Sequence, residues 1–127
     1  MLVYAATGRK SEPAKWELAH ELLAQDDAAI SAQVLAEFYV TVLRRRYLDE
    51  QDAAFWLERL SLMPTVNVDA GLVIKGAVLS RRYRISYWDG AIIAAAEQLG
   101  RDTLYSEDLN HDQLYGSVRV LNPFLET

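Results

Sequence analysis

Apolar and polar positions along the chain alternate between short apolar runs and longer stripes at helical spacing. Leu2-Val3-Tyr4-Ala5 reads as a short strand closed by Thr7-Gly8. Ser11 then stands where a helix cap belongs, Pro13 falls in the first turn, and Leu18, Ala19, Leu22 and Leu23 share one face. Ala28-Ala29-Ile30 predicts a second strand, and Ser31 caps the helix behind it, whose stripe is Val34, Leu35, Phe38 and Val42. Asp49 opens a further helix that runs to about Leu62 and stops at Pro64. Thr65-Val66-Asn67-Val68 predicts a third strand, and Asp69 caps a helix to about Arg82.

The last third keeps the rhythm. Ser86 opens a helix rich in Ala and Ile, from Ala91 to Ala96, which ends at Leu99-Gly100 with glycine just past the last turn. Thr103-Leu104-Tyr105 predicts a fourth strand, Ser106 to Gly116 a polar loop, and Val118 to Leu121 a fifth strand. No repeat, linker or low-complexity tract interrupts the pattern. Short apolar strands alternating with helices predict one α/β domain over residues 1–127, with a mainly parallel sheet of four to five strands covered on both faces.

Composition narrows the function classes. The chain has 127 residues, 51% of them apolar, which is enough to bury a sizeable core. It has no cysteine, so disulfides and thiolate metal sites are excluded, and a cytoplasmic location is expected. No run approaches the ~18 apolar residues of a membrane span, and Met1-Leu2-Val3-Tyr4 lacks the basic flank of a signal peptide. A net charge of −5 argues against a passive polyanion binder. The basic residues nevertheless cluster, at Arg44-Arg45-Arg46 and at Arg81-Arg82 with Arg84, where cations also complement helix ends.

The acids carry more information. In a parallel α/β sheet, strand C-termini and helix N-termini share one edge, and ligands bind there. Asp89 lies in the first turn of its helix, and Glu107 and Asp108 sit just past the fourth strand. Glu37 stands ~9 Å along its helix from Ser31, close enough for its side chain to reach back to the edge. Glu37, Asp89 and Asp108, far apart in sequence, are thus placed near one crevice. Clustered carboxylates repel, and a hard cation such as Mg²⁺ or Mn²⁺ relieves the conflict with oxygen ligands. The chemistry suggested is metal-assisted attack of water on a phosphodiester, with Ser31 and Ser106 placed to orient water or phosphate.

Each residue also has a plain structural reading. Ser86-x-x-Asp89 resembles a capping pair, Ser31 an N-cap, Glu37 an exposed helix residue, and Asp108 ordinary turn chemistry. His20 and His111 read as surface residues.

At this point the segments resemble a known family. Leu2-Val3-Tyr4-Ala5, Ala36-Glu37-Phe38, the run Tyr87-Trp88-Asp89-Gly90-Ala91-Ile92-Ile93-Ala94-Ala95-Ala96, Thr103-Leu104-Tyr105-Ser106-Glu107-Asp108-Leu109 and the closing Val120-Leu121-Asn122-Pro123-Phe124 resemble PIN-domain ribonucleases. The closest likeness is to the VapC-type toxins of bacterial toxin–antitoxin pairs. The resemblance implies a Rossmann-like α/β/α sandwich and a Mg²⁺- or Mn²⁺-dependent endoribonuclease that hydrolyses RNA. It also implies a cognate antitoxin and a homodimer. Glu37, Asp89 and Asp108 match the family's second, third and fourth acids, and Ser106 its hydroxyl beside the last acid. Glu107 and Asp112 are further acids of the same loop.

The departure is at the front. The family's first strand typically reads Asp-Thr-Asn-(Val or Ile)-Leu-Val-Tyr, and Met1 falls where the Val or Ile would be. The resemblance therefore implies a truncated first strand and a missing first ligand, hence weak cation binding and low nuclease activity. An upstream extension bringing the Asp is expected to raise both.

The helix from Asp49 to Leu62 contains Ala53-Ala54-Phe55-Trp56-Leu57, a run too long to face one core. It predicts that part of the run meets another surface, and with the family resemblance this implies a dimer contact and a groove for an antitoxin, whose Arg would pair with the acids of the crevice. Trp16, Tyr83 and Tyr87 add aromatic area, to that surface or to the domain's own core. Two rival readings remain. One is a catalytically impaired PIN-like module acting through protein contacts. The other is a receiver-like or nucleotide-binding domain, which Thr7-Gly8-Arg9-Lys10 disfavours because it holds a single glycine.

Overall fold

The first apolar run, expected as a strand, is a helix: α1 spans Leu2–Thr7. A run this short fits either state, and Ala5-Ala6 favours helix. Leu2 and Ala5, three apart, are buried on one face, and Thr7 Oγ1 donates to the Val3 carbonyl at 2.8 Å. The computed structural model describes residues 2–25 and 28–125; of the expected strand Ala28-Ala29-Ile30 only Ile30 belongs to the strand that forms, β1 (Ile30–Ser31). The chain divides into two units, one ending at Thr65 and the next beginning at Val66.

In the first unit α2 (Pro13–Leu23) starts on Pro13 as expected, but its cap position is Glu12, not Ser11, and no side chain accepts a capping bond there. His20 is half-buried rather than superficial: its Nε2 lies 2.7 Å from the Ala5 carbonyl oxygen and joins α2 to α1. Helix α3 (Ala32–Arg44) is capped by Ser31, whose Oγ accepts the Val34 N–H at 3.2 Å. Helix α4 (Glu50–Leu60) is capped by Asp49, which accepts the Asp52 N–H at 2.8 Å. Their apolar faces meet in a core of Leu2, Ile30, Phe38, Val42, Ala53 and Leu60. The run on α4 divides as its length requires. Ala53 is buried, Trp56 and Leu57 are half-buried, and Phe55 is 56% exposed beneath the Arg59 guanidinium.

The chain enters the second unit through β2 (Thr65–Val66), shorter than the four-residue strand expected, because Asn67 and Val68 lead directly to the cap of α5. Helix α5 (Ala70–Tyr83) is capped by Asp69, which accepts the Leu72 N–H at 2.9 Å. Helix α6 (Tyr87–Gln98) is packed tightly against it. At Gly76 a Cβ would sit 2.9 Å from Ala91 Cα; at Gly90 it would collide with the Gly76 carbonyl oxygen and stand 2.9 Å from the Ser80 nitrogen. Helix backbones this close require small residues at the contact.

Strands β3 (Thr103–Tyr105) and β5 (Val118–Leu121) form where expected and pair in parallel, Leu104 opposite Val120. The polar loop holds a further strand, β4 (Gln113–Tyr115), antiparallel to β5. Gly116, with φ +60°, and Ser117 join the two as a tight hairpin, the connection that favours positive φ. The fold is α/β, but the expected mainly parallel sheet of four to five strands is not what forms among the described residues. They hold one two-stranded sheet and one three-stranded sheet in the order β3-β5-β4, short and mixed in direction. A two-residue hairpin can only return the chain antiparallel, and β1 and β2 have two residues each. The core of this unit gathers Leu72, Leu79, Ile93, Ala94, Tyr115, Val118 and Val120.

Replacing Gly90 with Ala should destabilise the protein by about 1–3 kcal/mol, since the added methyl meets backbone on two sides. Urea unfolding would show a lower midpoint at an unchanged slope. Gly71→Ala, whose nearest neighbour would be Asp69 Oδ1 at 3.5 Å, should be neutral or stabilising in the same measurement.

Candidate active site

Asp89 is the third residue of α6, and its position follows from the cap before it. Ser86 Oγ accepts the Asp89 N–H at 3.1 Å, which starts the helix there and leaves a half-buried carboxylate in the first turn. A negative charge in a first turn interacts favourably with the helix dipole, typically by ~0.3–1 kcal/mol.

The second group follows β3. The Ser106 N–H continues the ladder by donating to the Leu121 carbonyl at 3.0 Å. Its Oγ then accepts the Asp108 N–H at 3.2 Å, so the serine, and not the aspartate, makes the turn. Glu107 and Asp108 are left exposed. Asp112 has φ +62°, and its Oδ1 lies 3.1 Å from Arg119 Nη1, which also donates to the Asp112 carbonyl at 2.9 Å. Both side chains are about half exposed or more, so this ion pair contributes little beyond ~1 kcal/mol. His111 is exposed, as expected, and its Nδ1 accepts the Asn122 N–H at 2.9 Å.

In the second unit Asp89 stands near the start of α6 and Asp108 just past the end of β3. Only residues 99–102 separate α6 from β3, and the two elements pack together, so β3 runs back along α6. Asp89 lies nine residues before the end of α6, ~14 Å along its axis. Strand β3 covers ~10 Å at ~3.3 Å per residue before the chain turns at Ser106. Glu37 stands in the first unit, as the sixth residue of α3. It is exposed, and Gln33 Nε2, one turn nearer the helix N-terminus, donates to its Oε1 at 3.1 Å. Ser31 is buried, and its hydroxyl accepts the capping bond of α3.

The donors supplied by Asp89, Ser106, Glu107, Asp108 and Asp112 are all oxygen, the ligand type that Mg²⁺ and Mn²⁺ select. Among the described residues no three Asp, Glu or His form a group that could hold a metal ion by themselves. Mg²⁺ commonly takes one or two carboxylates and completes its shell with water and substrate phosphate, so the donor chemistry of these residues fits a hard cation.

A family model described as PIN domain matches residues 2–117, nearly the whole chain and both units. The chain belongs to the PIN domain family. PIN domains are in general metal-dependent nucleases, and α/β architecture is their class. No curated protein matches this chain. Among the described residues of this PIN domain, no helix is long and apolar enough to cross a membrane.

Two positioning contacts in the PIN domain were not read from the sequence. Tyr83 packs against the core of the second unit, and its hydroxyl accepts the Gly116 N–H at 2.6 Å while its ring meets Tyr115 edge-on. Arg119 reaches Asp112 across the hairpin. The Gly116-Ser117 pair was the available signal for that hairpin; nothing in the spacing announces a tyrosine 33 residues away.

Ser86→Ala should cost about 1 kcal/mol by removing the cap beneath Asp89, and Ser86→Asp should recover most of it. Chemical denaturation of the two variants checks this.

Proposed function

We propose that this PIN domain is an endoribonuclease of the VapC toxin type, cutting RNA with the help of Mg²⁺ or Mn²⁺. The observations that carry the reading are Asp89, set in the first turn of α6 by Ser86, and Asp108, set just past β3 by Ser106. Asp89 and Asp108 hold the ion, Glu107 and Asp112 add negative charge on the same loop, and Glu37 on α3 is the family-matched acid of the first unit. When bound, the ion supplies an activated water and neutralises charge on the phosphate. The chain's own part is positional. Ser86 fixes where α6 begins, and Ser106 fixes the backbone that presents Asp108. RNA phosphate, itself anionic, approaches these acids only when a cation lies between them.

The toxin reading adds partners. An antitoxin covers exposed apolar surface such as Phe55 on α4 and sets an Arg against Asp89 and Asp108. The protein acts in the cytoplasm as a homodimer.

The experiment is RNA cleavage with Mg²⁺ or Mn²⁺ by the parent chain and by Asp89→Asn, Asp108→Asn and Glu37→Gln. Each substitution should lower the rate roughly 100-fold, equivalent to ~2.7 kcal/mol, with the urea midpoint unchanged. Cleavage that survives both aspartate substitutions would overturn the assignment. Binding to antitoxin that persists with little RNA cleavage in the parent would favour a PIN module acting through protein contacts. The same two aspartate variants should also bind antitoxin more weakly; unaltered affinity would remove the Arg-to-acid pairing from the proposal.

A further inference from the structure

Helix α5 is apolar on two opposite faces, and the second unit covers one of them. Leu72, Gly76 and Leu79 are buried, and Gly76 lies against Ala91 of α6. On the far side, at ~100° per residue, Ala70, Ile74, Ala77, Val78 and Arg81 fall on one stripe. Ile74 is 66% exposed and Val78 46%, and Val73 flanks them at 41%. Between Ala70 and Ser80 the single charged residue is Lys75, whose Nζ lies 3.0 Å from Glu97 Oε2 on α6. A helix that is apolar all round is one that burial surrounds. Free charge is confined to the two ends of the stripe. Asp69 at the N-terminal cap and Arg81 in the last turn are both exposed, and neither has an ion-pair partner among the described residues.

We infer that this face of α5 docks a second copy of the chain, the two α5 helices lying antiparallel about a two-fold axis. This deepens the homodimer of the proposed function and rests on that part of the reading. The face is self-complementary in that direction alone. A two-fold axis midway between Ile74 and Val78 sets Ile74 opposite the partner's Val78. It also sets Arg81 opposite the partner's Gly71, two residues or ~3 Å of helix rise from the partner's Asp69. The guanidinium spans that distance, and the glycine leaves it room. By symmetry the same pair forms at the other end. Parallel packing would instead set acid against acid and base against base. Ala70 and Ala77 are small enough for the helix axes to approach within ~8–10 Å. The stripe from Ala70 to Arg81 is ~17 Å long, less than a standard interface of ~800 Å² per partner requires, so association is reversible and concentration-dependent.

The test is sedimentation velocity of the full chain over a range of concentrations, without RNA or antitoxin. The parent should pass from monomer to dimer as concentration rises. Ile74→Glu should stay monomeric throughout, because each dimer would bury the new carboxylate twice. Val78→Ala should weaken association roughly 10-fold or more, since its methyl groups are also lost twice. Asp69→Asn keeps the cap of α5 and removes only its charge, and should weaken association roughly 2- to 30-fold, as should Arg81→Gln. The double variant should be no weaker than either single one, the mark of a direct pair. The urea midpoint should rise with protein concentration in the parent and not in Ile74→Glu, whose far-UV circular dichroism should match the parent. A dimer indifferent to Ile74→Glu would overturn this face and leave the homodimer standing. Additive losses in the double variant would overturn the antiparallel register. A dimer that survives Ile74→Glu while antitoxin binding is lost would give the face to the antitoxin and overturn the inference. A parent that is monomeric at every concentration would overturn both the face and the homodimer, and RNA cleavage by the aspartate variants would still decide the nuclease reading separately.

Discussion

The close approach of α5 to α6 is the constraint on which the second unit depends. Gly76 and Gly90 leave no side chain between the two backbones, and Ala91 fills the remaining space. That contact fixes the direction of α6, and α6 in turn fixes where its first turn lies. Asp89 and Trp88 are consequently not placed by their own chemistry. They are placed by Gly90 and by Ser86, the serine that caps the helix. A carboxylate meant to share an ion must be held to within a fraction of an ångström, and a rigid helix–helix seam provides that rigidity better than a loop.

Local hydrogen bonding completes the positioning. Serine hydroxyls recur at the points where the chain changes state: Ser31 before α3, Ser86 before α6, Ser106 after β3. In each case the hydroxyl accepts a backbone N–H two or three residues on, which satisfies a donor that the end of an element leaves unpaired. Such residues read equally as ligands or as caps in a sequence, and here the caps and turns are what present the neighbouring acids. The structural and the functional readings of Ser86 and Ser106 are therefore complementary, because the bond each makes is what aims the aspartate beside it.

Charge is distributed in the same economical way. The molecule is acidic as a whole, while its arginines gather at the ends of α3 and α5. There they complement the carbonyl ends of the helices. At the end of α5 the Arg82 guanidinium also lies over the Tyr83 ring, 5.2 Å from its centroid.

The sequence alone determined most of what depends on near neighbours. The caps at Ser31, Asp49, Asp69 and Ser86, the Ala-rich α6, and strands β3 and β5 were legible because each rests on contacts a few residues apart. The PIN resemblance was legible for a related reason, since its motifs are continuous segments. Tertiary structure decided the rest. Leu2–Thr7 became a helix, β1 and β2 shrank to two residues each, and a polar stretch supplied β4. Those outcomes turn on partners distant in the chain: a strand exists only where another strand accepts its hydrogen bonds, and an apolar run of four residues takes whichever state buries it.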